Sequence, residues 1–307
     1  MTNLEWLLKG DEVLNRLSRK YLLGEELDYN NEGYIAEYLK LYDHKTKLWG
    51  NGFYGPKWIS TNYTLLELKY MEINPKHPIY QESLLNYLDY YLDHYLGKSS
   101  IDKMDLCISG MFIELLSYGK IQDHRLFTLI DYVLDHTMSD GAWNCQWNHK
   151  SKPRISSVHT TINILEGLNE YLKNDYSYRK NEVSIRVIKA IEVLMSRHLL
   201  FVKTTKEPIH PSFVDHHYPP RWKYDYLRIL EFLAKRKHPY QIEMQAALDL
   251  LYKKLKNGRL SKGSRISGKI HFPIEQETYG RFNTLRAYIV LKEYHKELYN
   301  HIVGSEI

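Results

Sequence analysis

The sequence has no long apolar segment, few cysteines and no concentrated charge. No run of about eighteen apolar residues occurs, so no membrane-spanning helix is predicted. Only two cysteines stand among 307 residues, which favours a reducing cytoplasm and thiols free to bind a ligand. No block of about five basic residues occurs, and the net charge of +5 is modest, so a nucleic-acid partner is not indicated.

Strict alternation of polar and apolar residues is also scarce, and no Ser/Gly-rich linker divides the chain. Apolar residues instead recur at steps of three and four, which predicts an all-α fold in one domain over 1–307. Acids inside the apolar pattern of the first residues favour an amphipathic helix over a signal peptide, and residues 1–45 are expected to pack on the rest. The predicted helices are 3–22, 33–43, 58–73, 78–95, 103–118, 122–137, 156–173, 182–199, 221–236, 240–256 and 281–296.

A repeat runs through the most apolar of these helices. Four of them carry an internal glutamate, and a fifth aligns with the fourth through an arginine. A more polar helix follows each apolar one, as an inner and an outer ring of helices would require. The repeat therefore predicts an α/α toroid of five to six helix pairs. The aligned residues are Glu67, Glu114, Glu166, Glu231, Arg228 and Arg286.

The residues seven positions before these glutamates are Ser60, Cys107, His159 and Tyr224. Phe282 takes this place in the fifth helix. Equivalent positions of successive inner helices face the same end of a toroid, so these side chains are expected at one mouth. Cys107, His159 and Tyr224 are the candidate catalytic residues.

Thiolate and imidazole are common zinc ligands, and Asp105 lies two residues before Cys107, where a helix begins. We therefore predict a zinc site formed by Asp105, Cys107 and His159, with Cys145 of the preceding loop as a fourth candidate ligand. Taken singly, each residue has an ordinary alternative: a small core cysteine, a helix N-cap and a buried histidine.

Two segments resemble the β subunits of protein farnesyl- and geranylgeranyltransferases. They are Asp105-Leu106-Cys107 and the segment from His159-Thr160 to Gly167-Leu168. The resemblance implies an α/α toroid, Asp105, Cys107 and His159 as zinc ligands, an isoprenoid substrate and a second, helical subunit. Asp140-Gly141-Ala142-Trp143 also resembles the loops of squalene-cyclase-type repeats.

The chain departs from these families in two places. The only counterparts of the diphosphate-binding residues of the transferases are Lys98 and Lys103, at different offsets. The Asp-x-Asp-Asp general acid of the cyclases is missing, which disfavours carbocation formation by protonation.

The candidate substrate-binding residues are aromatic or basic. A loop ending in Pro219-Pro220 places cations near a helix N-terminus, which favours an anion such as diphosphate. The basic segment 258–272 is either a flexible surface loop or a lid. The alternative for most of the aromatic residues is simple packing. The full set is Trp58, Trp143, Trp147, His210, Arg221, Trp222, Lys223 and Phe282.

Three hypotheses follow for function. The first is a zinc enzyme that activates a thiol or water beside an aromatic-lined apolar cavity, as in prenyl transfer. The second is a metal-free terpenoid cyclase or lyase, and the third is a non-catalytic ring that binds a lipid or a peptide. If Cys145 also bound the metal, four protein ligands would indicate a structural zinc instead.

Overall fold

A computed structural model describes residues 1–97, 104–150, 153–202, 205 and 207–304. Thirteen α helices form over this part of the chain, and its β structure is limited to isolated bridges, so the all-helical prediction is confirmed. The helices are α1 Asn3–Leu8, α2 Glu12–Ser18, α3 Tyr34–Lys40, α4 Thr61–Tyr70, α5 Pro78–Gly97, α6 Leu106–Tyr118, α7 Arg125–Asp135, α8 Val158–Lys173, α9 Lys180–Met195, α10 Tyr226–Lys235, α11 Gln245–Lys254, α12 Arg281–Tyr294 and α13 Lys296–Gly304.

The chain forms two compact units. Unit 1 combines Met1–Leu41 with Met195–Ile307, and unit 2 is Tyr42–Leu194. Unit 2 contains α4 to α8 and nearly all of α9, whereas unit 1 contains α1 to α3 and α10 to α13. The single toroid over residues 1–307 remains a prediction.

Three helices differ from the sequence expectation. The predicted helix over 221–236 begins only at Tyr226, after the N-cap Asp225, so Arg221 and Lys223 lie in the preceding loop and not in its first turn.

The predicted helix over 3–22 is interrupted, because Asp11 caps a new helix by accepting the Val13 N–H. A short π-helix, Arg19–Leu23, then extends this second helix. The helix α13 was not predicted, and only His295 separates it from α12.

The apolar helices are buried on nearly all sides. Every described side chain of α6 from Ile108 to Ser117 is buried, and so are the side chains of α12 from Phe282 to Leu291. In unit 2, α4 packs on α6 and α6 on α8, while α10 packs on α12 in unit 1. Consecutive apolar helices within each unit are therefore direct neighbours.

Two of the repeated glutamates form ion pairs inside these packed layers. In unit 2, Lys69 of α4 bonds to Glu114 of α6, which is fully buried, and lies 3.7 Å from Glu170 of α8. In unit 1, Arg286 Nε of α12 lies 2.6 Å from Glu231 Oε2 of α10. The repeat thus has a structural use, since each pair joins neighbouring apolar helices.

A second recurring contact fixes the loops before three of the apolar helices. A threonine hydroxyl near the helix start accepts a loop N–H, from Trp49 to Thr61, from Trp143 to Thr161 and from Leu260 to Thr284. The donor–acceptor distances are 3.1, 3.5 and 3.1 Å. This contact repeats in both units and anchors each loop to the helix that follows.

None of the described helices combines the length and the apolar composition that crossing a lipid bilayer requires.

Candidate functional site

The two cysteines meet at the start of α6. The backbone N–H of Cys107, the second residue of this helix, donates to Cys145 Sγ at 3.2 Å. The N-cap residue Asp105 is exposed, and its side chain makes no capping hydrogen bond. The Cys145 sulfur therefore occupies the acceptor position that a capping side chain would normally fill.

The loop that carries Cys145 is held by the first turn of α8. The Cys145 N–H donates to Thr160 Oγ1 at 3.2 Å, and the same hydroxyl donates to Cys145 Sγ at 3.3 Å. Asp140 holds the other end of the loop by accepting the N–H groups of Ala142 and Ser156. The position of the sulfur is thus set from both sides.

The two thiols ionise unequally. The side-chain hydrogen bond to Cys107, together with those from the Thr160 hydroxyl and the Cys107 N–H, lowers the pKa of Cys145, against the opposing effect of burial. The hydrogen bond to Cys145 and burial raise the pKa of Cys107. Cys145 is therefore the more readily ionised of the two thiols, as expected for a sulfur that accepts hydrogen bonds at a helix N-terminus.

Two tyrosines and a tryptophan lie beside the thiols. Tyr63 is fully buried, and its hydroxyl donates to the Tyr54 hydroxyl at 3.0 Å. Burial raises the pKa of both phenols. Trp58 packs edge-on against Tyr63 with ring centroids 4.8 Å apart. A group of aromatic side chains therefore lies near Cys107.

The predicted zinc ligands were compared with this geometry. Asp105 lies near both thiols, and His159 is the second residue of α8, next to Thr160. Thiolate, carboxylate and imidazole are suitable zinc donors. However, no group of three or more His, Cys, Asp or Glu side chains in the described ranges is arranged to hold a metal ion. The donor types suit zinc, but this arrangement does not assemble them into a ligand set.

The other two tryptophans predicted in unit 2 occupy different environments. Trp143 is fully buried, and its indole N–H donates to the Val133 carbonyl at 2.6 Å. Trp147 is partly exposed and packs on His136 with ring centroids 4.0 Å apart. Trp143 therefore packs in the interior of unit 2, whereas Trp147 is closer to solvent.

The remaining predicted site residues belong to unit 1. Tyr224 is buried, and its hydroxyl donates to the Leu199 carbonyl at 2.6 Å. Burial raises its pKa, so this phenol is a poor proton donor. Phe282 stacks on Tyr218 with centroids 4.3 Å apart, and its N–H donates to Glu275. Both predicted rim residues of this unit have packing and hydrogen-bonding roles in the described structure.

The basic loop before α10 is likewise tied into unit 1. His210 caps the short 3-10 helix Pro211–Val214 by accepting the Ser212 N–H. Arg221 is buried, whereas Trp222 and Lys223 are partly exposed. The Lys223 carbonyl accepts a hydrogen bond from the Arg228 guanidinium at 2.7 Å.

The segment 258–272, expected to be a flexible surface loop or a lid, makes hydrogen bonds to the loop before α10. His216 Nε2 lies 3.0 Å from the Ser261 carbonyl, and His217 Nδ1 lies 3.1 Å from the Ser264 carbonyl. The Ser264 N–H donates back to the His216 carbonyl. The predicted phosphate-binding candidates Lys98 and Lys103 lie outside the described residues.

Sequence reasoning missed two residues of the thiol site, Thr160 and Tyr54, whereas Tyr63 was expected among the aromatic residues that line the cavity. Thr160 stands within the motif quoted for His159, but a hydroxyl next to a candidate ligand carried no signal of its own. Tyr54 and Tyr63 flank Ser60 in the turn and helix aligned with the repeat. The alignment of the repeat was the signal that pointed to these residues, because it placed their loop at the same end of the predicted toroid as Cys107.

The chain was also compared with known proteins. No protein-family model, no curated protein and no solved structure matches it. The thiol site is therefore interpreted from its own geometry.

Proposed function

We propose that the chain is a thiol-dependent enzyme in which Cys145 is the nucleophile. The observation that carries this proposal is the environment of Cys145 Sγ, which accepts the Cys107 N–H and the Thr160 hydroxyl at the start of α6. These donors stabilise a thiolate, and the thiolate is the reactive form of cysteine.

Each neighbour has a part in the proposed chemistry. Thr160 orients the sulfur, and Cys107 supplies the proton that a leaving group requires. Tyr54, Tyr63 and Trp58 keep water from one side of the thiols and offer aromatic faces to an apolar substrate. The proposed reaction is transfer of a group from an apolar electrophile to the Cys145 sulfur.

The proposed architecture is the α/α toroid of terpenoid cyclases and prenyltransferases. Its support is the packing of α4 on α6, α6 on α8 and α10 on α12, together with the repeated ion pairs and threonine contacts. An isoprenoid-like substrate and a second protein subunit remain proposals drawn from the resemblance.

A second candidate function is the zinc enzyme implied by the prenyltransferase resemblance. Two observations favour it: a hydrogen bond joins the paired thiols, whose protons a metal ion can replace, and the Asp105 carboxylate has no capping hydrogen bond. When bound, zinc would lower the pKa of a substrate thiol or water. Asp105, Cys107 and His159, with Cys145, are the residues that would hold it after rearrangement.

The nucleophile proposal is tested by alkylating the reduced full chain with iodoacetamide and with its N-benzyl derivative, followed by peptide mass spectrometry. We expect Cys145 to be modified before Cys107, and the benzyl reagent to react faster than its parent. Tyr54→Ala should reduce that preference for the aromatic reagent. Equal modification of the two cysteines would exclude Cys145 as an activated nucleophile.

The zinc candidate is tested by metal analysis of the purified chain and of the Cys107→Ala and His159→Ala variants. If the parent chain binds stoichiometric zinc and both variants lose it without unfolding, the result would support a catalytic zinc site. Zinc whose loss unfolds the chain would indicate a structural site, and a metal-free parent protein would exclude this candidate.

A further inference from the structure

We infer that Cys145 and Cys107 form a redox-active dithiol that reduces disulfides by passing through an intramolecular Cys107–Cys145 disulfide. This inference rests on the proposed role of Cys145 as nucleophile, and it names disulfides as the substrate class. It adds a second chemical role for Cys107, as the thiol that releases the product.

The fold brings together the only two cysteines of the sequence, which lie 38 residues apart. Cys107 stands in the first turn of α6, and Cys145 stands in the loop before α8. Both are unpaired thiols and both are partly exposed, so a small disulfide can reach them. The Cys107 N–H lies 3.2 Å from Cys145 Sγ, and a side-chain hydrogen bond also joins the two residues, so the two sulfurs are neighbours.

The hydrogen bonds assign different roles to the two sulfurs. Cys145 Sγ accepts from the Cys107 N–H and from the Thr160 hydroxyl, at 3.2 and 3.3 Å. A side-chain hydrogen bond between the two cysteines favours ionisation of Cys145 and disfavours that of Cys107. Cys145 is therefore prepared for the first attack, whereas Cys107 keeps its proton until the second step.

The reaction proceeds in two displacements. The Cys145 thiolate attacks one sulfur of the substrate RSSR, so that a Cys145–SR bond forms and one RS⁻ leaves. The Cys107 proton passes to that RS⁻, and the Cys107 thiolate then attacks the sulfur of Cys145. The protein disulfide forms and the second RS⁻ leaves, taking a proton from water. The substrate gains the two electrons that the cysteines lose, and a dithiol reductant restores the pair.

The test uses the reduced full chain, treated with glutathione disulfide and analysed by intact mass and peptide mapping. We expect the parent chain to lose two hydrogens and to retain no glutathione, with Cys107 and Cys145 joined. Cys107→Ser should retain one glutathione on Cys145, because the second displacement is blocked. Cys145→Ser should acquire glutathione at least about tenfold more slowly than Cys107→Ser, because Cys107 is the weaker nucleophile.

Two results would overturn the inference. The first is glutathione that persists on the parent chain without a Cys107–Cys145 disulfide. The second is equal uptake by the two serine variants, with circular dichroism showing that both are folded. If a variant does not fold, peptide mapping of the parent chain still tests the first of these results. If Cys145 is selectively alkylated but no internal disulfide forms, the inference fails while the nucleophile proposal stands; if Cys145 is not selectively alkylated, both fail.

Discussion

At the scale of single residues, the Thr160 hydroxyl is a side-chain contact of Cys145 that a mutation can remove while both sulfurs remain. Its bond to Cys145 Sγ is 3.3 Å long and favours the ionised thiol. The Cys107 N–H makes a similar contribution, but a backbone group cannot be removed by substitution. A substitution at Thr160 therefore tests how the Cys145 thiol is activated while both sulfurs stay in place.

We predict that Thr160→Val raises the pKa of Cys145, because a hydrogen bond that lowers it is lost. The thiolate fraction at neutral pH falls, and alkylation slows by about three- to fivefold, because the greater nucleophilicity of the remaining thiolate offsets only part of that fall. The measurement is the rate of Cys145 alkylation against pH. Thr46→Val is the control, since Thr46 bonds to Asp43 in an exposed turn. An unchanged pH profile would contradict the assigned role.

Glu275 is a second residue whose ionisation is expected to affect the protein, in this case its stability. Its carboxylate accepts the N–H groups of Arg281, Phe282 and Asn283, the first three residues of α12. Burial nevertheless raises its pKa from 4.5 to about 7. The carboxyl therefore titrates in the physiological range, in contact with a helix that it caps.

Because the pKa of Glu275 is higher in the folded chain, its contribution to stability is fully present below about pH 4.5 and is lost as the pH rises to about 7. The loss is at most about 3 kcal/mol. We predict that Glu275→Gln flattens this part of the pH dependence of the free energy of unfolding, measured by urea denaturation. Glu277→Gln, an exposed change in the same loop, should leave it unchanged. Parallel curves for Glu275→Gln and the parent chain would contradict the prediction.

At the scale of helices, the sequence predicted the class and most positions correctly, because three- and four-residue periodicity extends over long segments. It missed the interruption before α2, where Asp11 caps locally, and it missed α13, which follows α12 almost without a break. At the site, the repeat indicated Cys107, and the position of its loop made Cys145 a candidate neighbour, but only the folded loop shows that Cys145 Sγ accepts the Cys107 N–H. Such a contact depends on loop geometry, which periodicity does not encode.

The helices α6 and α8 approach each other closely at two glycines. A Cβ added to Gly110 would lie 2.7 Å from backbone atoms of Asn163, and one added to Gly167 would lie 2.3 Å from the Gly110 carbonyl oxygen. Neither position has positive φ, so glycine is needed for space rather than for backbone conformation. These two helices carry Cys107 and Thr160, so their separation also sets the geometry of the thiol site.

We therefore predict that Gly167→Ala destabilises the fold by about 3 kcal/mol, although alanine normally favours a helix. The cause is overlap with backbone, which cannot move aside as a side chain can. Urea denaturation measures the effect, and Gly304→Ala is the control because nothing lies within 4 Å of its added Cβ. Equal stabilities of the two variants would show that α6 and α8 separate at little cost.

At the scale of the whole chain, the same contacts occur in both units. Threonine–loop hydrogen bonds precede α4 and α8 in unit 2 and α12 in unit 1, and a glutamate–cation pair joins apolar helices in each unit. The repeat found in the sequence thus has a physical counterpart in hydrogen bonds and charges. The glutamates of the repeat form buried ion pairs in both units, whereas the two cysteines both lie in unit 2.

The charge pair of unit 2 offers the sharpest test of this structural role. Lys69 compensates Glu114, which is fully buried, and lies 3.7 Å from Glu170. Lys69→Met would leave these carboxylates without their cation, and we predict a loss of about 3–5 kcal/mol in the free energy of unfolding near neutral pH. Lowering the pH should restore part of that loss, because the buried carboxyl of Glu114 can then be protonated.

Lys47→Met is the matched control, because Lys47 forms an exposed ion pair with Glu82 at 2.8 Å, and such pairs contribute about 1 kcal/mol or less. Hydrogen exchange should locate the added opening of Lys69→Met within Tyr42–Leu194, which contains all three members of the buried network. If the two lysine variants were equally stable, the repeated glutamate would have no structural role in α6. The repeat would then require another explanation, and the aligned position of Cys107 would lose its main physical support.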